Sequence, residues 1–184
     1  MGVLGWTAYL KTAKPDSKAR AWFAQNFGHW RGVMDKRMAS GAWHNYLLES
    51  NYFWGSNSVM GDTEILLTLG SRALGENSAA PVEAGRSCLN YLLGVNPLAF
   101  SYVSGYGANS VRHIYSCIYT GDNIDAIPAG YVPGGPNKYD GKLVSRYAGK
   151  CYRDSEYEWT LNENAIYYNS PVVFLTALAQ SESK

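Results

Sequence analysis

The 184-residue sequence predicts an all-α protein whose long irregular loops are gathered in one half of the chain. Apolar residues recur at three- and four-residue steps in several separate stretches, the spacing of helices with one buried face. Glycine or proline signals close those stretches. Between residues 98 and 160 little helical patterning survives, and Ser104-Gly-Tyr-Gly107, Pro128-Ala-Gly130 and Pro133-Gly-Gly-Pro136 break the run repeatedly. Compact domains seldom carry so long a loop region unless it is functional.

The first helix is expected over 17–39, with Ala21, Trp22, Phe23, Ala24, Phe27, Trp30, Val33, Met34 and Met38 on its apolar side. Gly28 and Gly32 weaken it, and Ser40-Gly41 ends it. A loop with His44, Asn45 and Tyr46 leads to the polar, aromatic segment Asn51-Tyr-Phe-Trp54-Gly-Ser-Asn57. A second helix is expected over 58–74 on Met60, Ile65, Leu66, Leu69 and Leu74, with Gly75 as its stop. A third, over 80–93, starts near Pro81, carries Val82, Cys88, Leu89, Leu92 and Leu93, and ends at Gly94 ahead of Asn96-Pro97. The last, over 161–180, has Thr160 or Asn162 as candidate caps. Pro171 falls inside it, so a kink or a delayed start is expected.

Composition narrows the function classes. A net charge of +1, with no run of like charge, leaves no electrostatic footprint for nucleic acid or an anionic membrane surface. No window is apolar enough for a transmembrane span. Residues 1–10 do not read as a signal peptide, since a basic start is missing and Trp6, Thr7 and Tyr9 interrupt any apolar core. Three cysteines, Cys88, Cys117 and Cys151, form neither a disulfide framework nor a Cys-x-x-Cys metal site, although Cys117 and Cys151 are a conceivable pair. Aromatic content stands out at 14%, with 15 Tyr and 6 Trp. Phenols and indoles need polar partners when buried, so a core alone does not call for so many. A sugar-binding groove or a Tyr-rich interface would use them.

The most informative run is Tyr152 to Ser170. It places two carboxylates, Asp154 and Glu163, among Tyr152, Tyr157, Trp159, Tyr167 and Tyr168. A desolvated aromatic cleft disfavours a carboxylate anion, which suits a general acid, and aromatic faces suit the apolar faces of sugar rings. The simpler alternative is a Tyr-rich helix start whose acids only cap it.

The spacing goes further. An aromatic, one residue, Asp, four residues, an aromatic, three residues, Glu, one residue, Ala, three residues and Asn-Ser resembles the C-terminal active-site signature of the glycoside hydrolase family 9 cellulases. The Trp54-Gly-Ser-Asn57 loop, the Tyr91-Leu-Leu-Gly94-Val-Asn-Pro97 helix end, the Ser101 to Asn109 segment and the Gly134-Gly-Pro-Asn137 turn resemble that family's motifs in order. The resemblance implies that the chain is part of an (α/α)6 barrel. Residues 1–184 would then be one incomplete C-terminal portion of a catalytic domain.

By the same resemblance Glu163 and Asp154 are the catalytic carboxylates, Glu163 as general acid and Asp154 in support. Trp54, Tyr168, Tyr115, His113 and Arg112 would bind substrate. The implied activity is inverting hydrolysis of β-1,4-glucans, a glucosaminidase-like variant or a non-catalytic carbohydrate-binding module being the alternatives. The expected partner is a polysaccharide, with neither nucleic acid nor membrane. Secretion or a periplasmic location is implied by family habit alone. No cofactor is expected; the resemblance allows a structural calcium, for which the sequence shows no site.

Two departures temper the likeness. Tyr115-Ser116-Cys117 replaces the His and Arg that normally follow the first signature, leaving Arg112 and His113 as the nearby candidates. The family's Asp-Ala-Gly-Asp base motif has no counterpart, and Asp122, Asp125 and Asp140 are weak substitutes. Half a helical ring would also expose the apolar stripes of Trp22, Phe27 and Leu66. Self-association, or a missing N-terminal segment of the same domain, is therefore expected to cover them.

Overall fold

The computed structural model describes residues 2–12, 14–76, 80–119, 127–142 and 144–181. Six helices follow one another: α1 (Val3–Leu10), α2 (Ser17–Ser40), α3 (Ser56–Leu74), α4 (Ala80–Leu92), α5 (Trp159–Asn162) and α6 (Ile166–Ser181). Among the described residues no strand occurs, and those between α4 and α5 are irregular apart from one turn of 3-10 helix at Ala148–Lys150. The all-α expectation with long loops is therefore met.

Helix α2 begins where the sequence places it, because the Asp16 carboxylate accepts the Ala19 amide at 2.8 Å and satisfies one otherwise unpaired donor. Phe23, Phe27 and Met34 form its buried face, with Trp30 and Met38 partly buried beside them. Phe27 packs onto Gly70 of α3, where even a Cβ would lie 2.2 Å from the ring. Burying such a ring contributes about 2–3 kcal/mol. This corrects the exposed stripe expected from sequence. Phe27 is an internal core residue and Leu66 is half-buried, whereas Trp22 is exposed and leans on Trp6 of α1 with ring centroids 5.2 Å apart. Helix α1 itself was not foreseen. It packs against α3 through a short apolar turn too brief to show a period.

Helix α3 is the spine, in contact with α1, α2, α4 and α6. Its C-terminus closes on Gly75 as expected: the Gly75 amide bonds Arg72 O and the Glu76 amide bonds Ser71 O, a paired Schellman stop. The Arg20 guanidinium of α2 then donates to the freed carbonyls of Leu74 at 2.8 Å and Ala73 at 3.3 Å. Helix α4 ends on the same paired bonds, from Gly94 to Tyr91 O and from Val95 to Asn90 O. The Asn96 side chain then bridges Tyr91 O and Phe100 O and accepts the Leu98 and Phe100 amides. This one side chain fixes how the chain leaves the helices and enters the loop region.

The last expected helix is two. The turn α5 closes at Asn162, and α6 starts only at Ile166, a late start, with Pro171 still inside the helix. Pro171 packs on α3 at Gly61, where a Cβ would meet it at 2.4 Å. Neither Thr160 nor Asn162 caps α6, because both lie inside α5. The break puts Glu163 at a helix end, held between two elements.

Candidate active site

Three loops meet around Glu163, and main-chain hydrogen bonds stitch them together. The Tyr115 amide donates to Asn162 O at 2.8 Å and the Asn164 amide donates to Tyr115 O at 3.1 Å, so residue 115 pairs alongside residue 163. The Gly134 amide donates to Glu163 O at 3.0 Å, and the Asn57 amide donates back to Gly134 O at 3.0 Å. Asn169, one turn into α6, accepts the Val132 amide at 2.9 Å and donates to Val132 O at 3.2 Å. The backbone that carries Glu163 is thus fixed from both sides.

Below it lies a buried phenol layer. Tyr102 and Tyr152 meet edge to face at 5.0 Å, and the Tyr52 and Tyr91 hydroxyls are 3.2 Å apart. The Tyr152 hydroxyl donates to Asn162 Oδ1 at 2.6 Å, while Asn162 Nδ2 donates to Arg153 O and Glu158 O. Burial first, and the Asp154 charge second, hold the Tyr152 phenol far above its ordinary range, so it remains a donor. Asn162 is the residue immediately before the candidate acid, which this layer therefore anchors.

The Glu163 carboxylate is half-buried and receives two donors on one oxygen. Trp54 Nε1 lies 3.0 Å and the Tyr168 hydroxyl 3.4 Å from Oε2. Tyr168 is buried against Gly55, where a Cβ would sit 2.5 Å from its ring and where the backbone has φ 94°. Only glycine meets both conditions. Burial, then Tyr167 and Glu163, push the Tyr168 phenol upward and keep it protonated. An open cleft of about 420 Å³ lined by Phe53, Trp54, Gly55, Ser58, Tyr167 and Tyr168 adjoins this carboxylate. A larger cavity, about 560 Å³, opens on α4 and α6, but it is lined mainly by Leu89, Leu93, Val103, Val172 and Val173 and offers no carboxylate for chemistry.

The other sequence-predicted residues fall into place around that centre. Asp154 accepts the Arg112 amide on Oδ2 and the His113 amide on Oδ1, each at 3.0 Å. With both oxygens engaged, it clamps the backbone that leads to Tyr115. Arg112, His113 and Tyr115 have exposed side chains on that clamped segment. Asp140 accepts a hydrogen bond from Thr160 on Oδ1, and Asp122 and Asp125 lie outside the described residues. Cys117 and Cys151 are not paired: Cys117 is exposed, while the buried Cys151 thiol donates to Ser145 O at 3.0 Å. Among the described residues no group of three or more His, Cys, Asp or Glu is placed to hold a metal ion, and no helix is long and apolar enough to cross a membrane. Trp159 was missed as a site residue. It meets Trp54 edge-on, with centroids 4.7 Å apart at 72°, and its position four residues before Glu163 was the available signal.

The helical scaffold thus presents a carboxylate beside an aromatic cleft, on loops above a phenol layer. Comparison with known proteins narrows the class. Residues 4–176 match the description of glycosyl hydrolase family 9, and the chain belongs to that family. It is 32% identical over 133 residues to a cellodextrinase of Butyrivibrio fibrisolvens, an alignment covering 68% of this chain and 24% of that protein. It is 29% identical over 136 residues to a cellulose 1,4-beta-cellobiosidase of Acetivibrio thermocellus, covering 68% of this chain and 15% of that protein. Among solved structures, AaCel9A in complex with cellobiose-like isofagomine superposes with a TM-score of 0.88 at 26% identity, over 98% of this chain and 35% of that one. A single-mutant thermostable endoglucanase from Alicyclobacillus acidocaldarius gives 0.82 at 26% identity, over 95% and 34%. The chain thus corresponds to part of an (α/α)6 barrel and spans about a third of these solved chains.

Proposed function

We propose that this chain carries the acid-bearing, sugar-lining part of a hydrolase acting on β-1,4-linked, cellulose-type glucans. The observation that supports it best is the convergence of Trp54 Nε1–H and the Tyr168 hydroxyl on Glu163 Oε2 beside an open aromatic cleft. The oxygen that accepts two hydrogen bonds is the poorer base, so the transferable proton resides on Oε1 and is passed to the leaving glycosidic oxygen. Trp54 and Tyr168 form one wall for the sugar, with Tyr115, His113 and Arg112 on the opposing segment. Asp154 acts as a positioning residue that holds this segment, since each of its oxygens accepts a main-chain amide.

Inversion requires a second carboxylate about 6.5–9.5 Å away, with room for a water between the two. That base is supplied from outside these residues, by the part of the barrel to which the chain is complementary, so the domain read here is incomplete. Polymeric glucans lie outside cells, which favours a secreted or periplasmic site of action.

The test is reducing-end release from carboxymethyl cellulose and a panel of β-glucans by the complete gene product, with Glu163→Gln alongside. Turnover that disappears in the variant supports the acid assignment; turnover that persists overturns it. Glucan binding without turnover by the complete gene product would select the carbohydrate-binding module. That reading is favoured by Tyr115-Ser116-Cys117, where Ser and Cys provide no planar fork of donors.

A further inference from the structure

We infer that Trp159 is a positioning residue for Glu163, acting through Trp54. The inference rests on the reading of Glu163 as the general acid. Trp159 opens α5 and Glu163 caps its C-terminal end, the Glu163 amide donating to Trp159 O at 2.9 Å. Residues four apart on a helical turn share a face, so the indole and the carboxylate project to the same side. Trp54 comes from a loop more than a hundred positions earlier and touches both, with its ring edge-on to Trp159 at 4.7 Å and its Nε1 3.0 Å from Glu163 Oε2. The three residues form a closed triangle: one side is a helical main-chain bond, one a ring contact and one an indole–carboxylate hydrogen bond.

The triangle has a chemical consequence. Trp54 is 41% exposed, so the hydrogen bond alone does not fix the plane of its ring. The edge contact with Trp159 does, because two indoles at 72° cannot rotate independently at that separation. A Trp54 ring held in one plane aims its N–H at Oε2 and leaves Oε1 for the proton that is transferred. Trp159 is itself 48% exposed and makes this edge contact from the rim of the cleft.

The experiment uses indole-¹⁵N-labelled protein, whose six tryptophans give six Nε1–H resonances. Trp54→Phe identifies the Trp54 signal. In the parent protein this signal is expected at the position of an indole hydrogen-bonded to a carboxylate, and Glu163→Gln should move it. Trp159→Leu is expected to move it as well, to the position of a free indole. Trp159→Phe, which keeps an aromatic edge, should leave it at the parent position. The signals of Trp6, Trp22, Trp30 and Trp43 report folding in every variant.

A Trp54 signal that keeps its parent position in Trp159→Leu overturns the proposal. Where turnover is followed, Trp159→Leu is expected to lower kcat by about 10- to 100-fold with KM little changed, the cost of a misplaced catalytic group. A raised KM with unchanged kcat would instead make Trp159 a sugar platform and also overturn it. Turnover that persists in Glu163→Gln defeats the acid reading, whereas the indole signals test the triangle whatever the rates.

Discussion

Replacing Glu64 by Gln should remove a pH-dependent destabilisation built into the core. Glu64 lies on the inner face of α3 with no exposed surface. The Tyr46 hydroxyl donates to its Oε2 at 2.6 Å and Thr68 Oγ1 lies 3.0 Å from its Oε1. Burial pushes this carboxyl from 4.5 up to about 7, outweighing the two hydrogen bonds that favour the anion. The native state therefore binds more protons here than the unfolded chain between those two values, and the stability of the fold falls as pH rises through that window. Below 4.5 the group is protonated in both states and contributes no slope. Above 7 the full cost is present. At 1.36 kcal/mol per pH unit, the rise to about 7 corresponds to roughly 3 kcal/mol. For a chain of this size that is on the order of 5–10 °C in Tm. Urea denaturation from pH 5 to 8.5 measures it, and the difference between the parent and Glu64→Gln isolates this one carboxyl. The variant should gain stability relative to the parent as pH rises. Parallel pH profiles for the two proteins would refute the reasoning.

Other outcomes follow from the site's construction. Gly55→Ala forces a Cβ into the Tyr168 ring at a φ of 94°, and the left-handed strain plus overpacking should cost about 2–4 kcal/mol in urea denaturation. Asp154→Ala frees the Arg112 and His113 amides, so their hydrogen exchange should accelerate, with a loss of about 1–3 kcal/mol; unchanged exchange at those two amides would remove the clamp. The exposed Val95, Ile166 and Val173 should make the isolated chain associate with rising concentration. A cooperative monomer at micromolar concentration in sedimentation would contradict this.

Where local chemistry determines an element, the sequence was legible. The Gly75 stop of α3 appeared where expected because the bonds that form it involve neighbouring residues. The late start of α6 was expected from Pro171, but that proline lies inside the helix, and the break falls where residues 162–164 bond to Tyr115 and Gly134 instead. Helix α1 escaped notice because it is held by packing against α3 and by Trp6 on Trp22 and Phe23, contacts that no periodicity in an eight-residue segment reports. Phe27 looked like an exposed stripe residue because its partner, Gly70, has no side chain to announce the contact. A glycine that receives a ring looks the same in sequence as one that breaks a helix.

The site shows the same division more sharply. The carboxylates and most aromatic residues could be picked out from type and spacing, whereas their division of labour could not. Asp154 and Glu163 share one motif, yet Asp154 spends both oxygens on main-chain amides and Glu163 receives side-chain donors on a single oxygen. That asymmetry arises from loops far apart in the chain. Trp54 reaches Glu163 across the Gly134 turn, and residues 112 and 113 reach Asp154 across forty residues of loop. A carboxylate that accepts two main-chain amides fixes a stretch of backbone, while one held by two side chains on one edge keeps the other edge open. The pattern of donors, more than the identity of the acids, is what separates the two carboxylates.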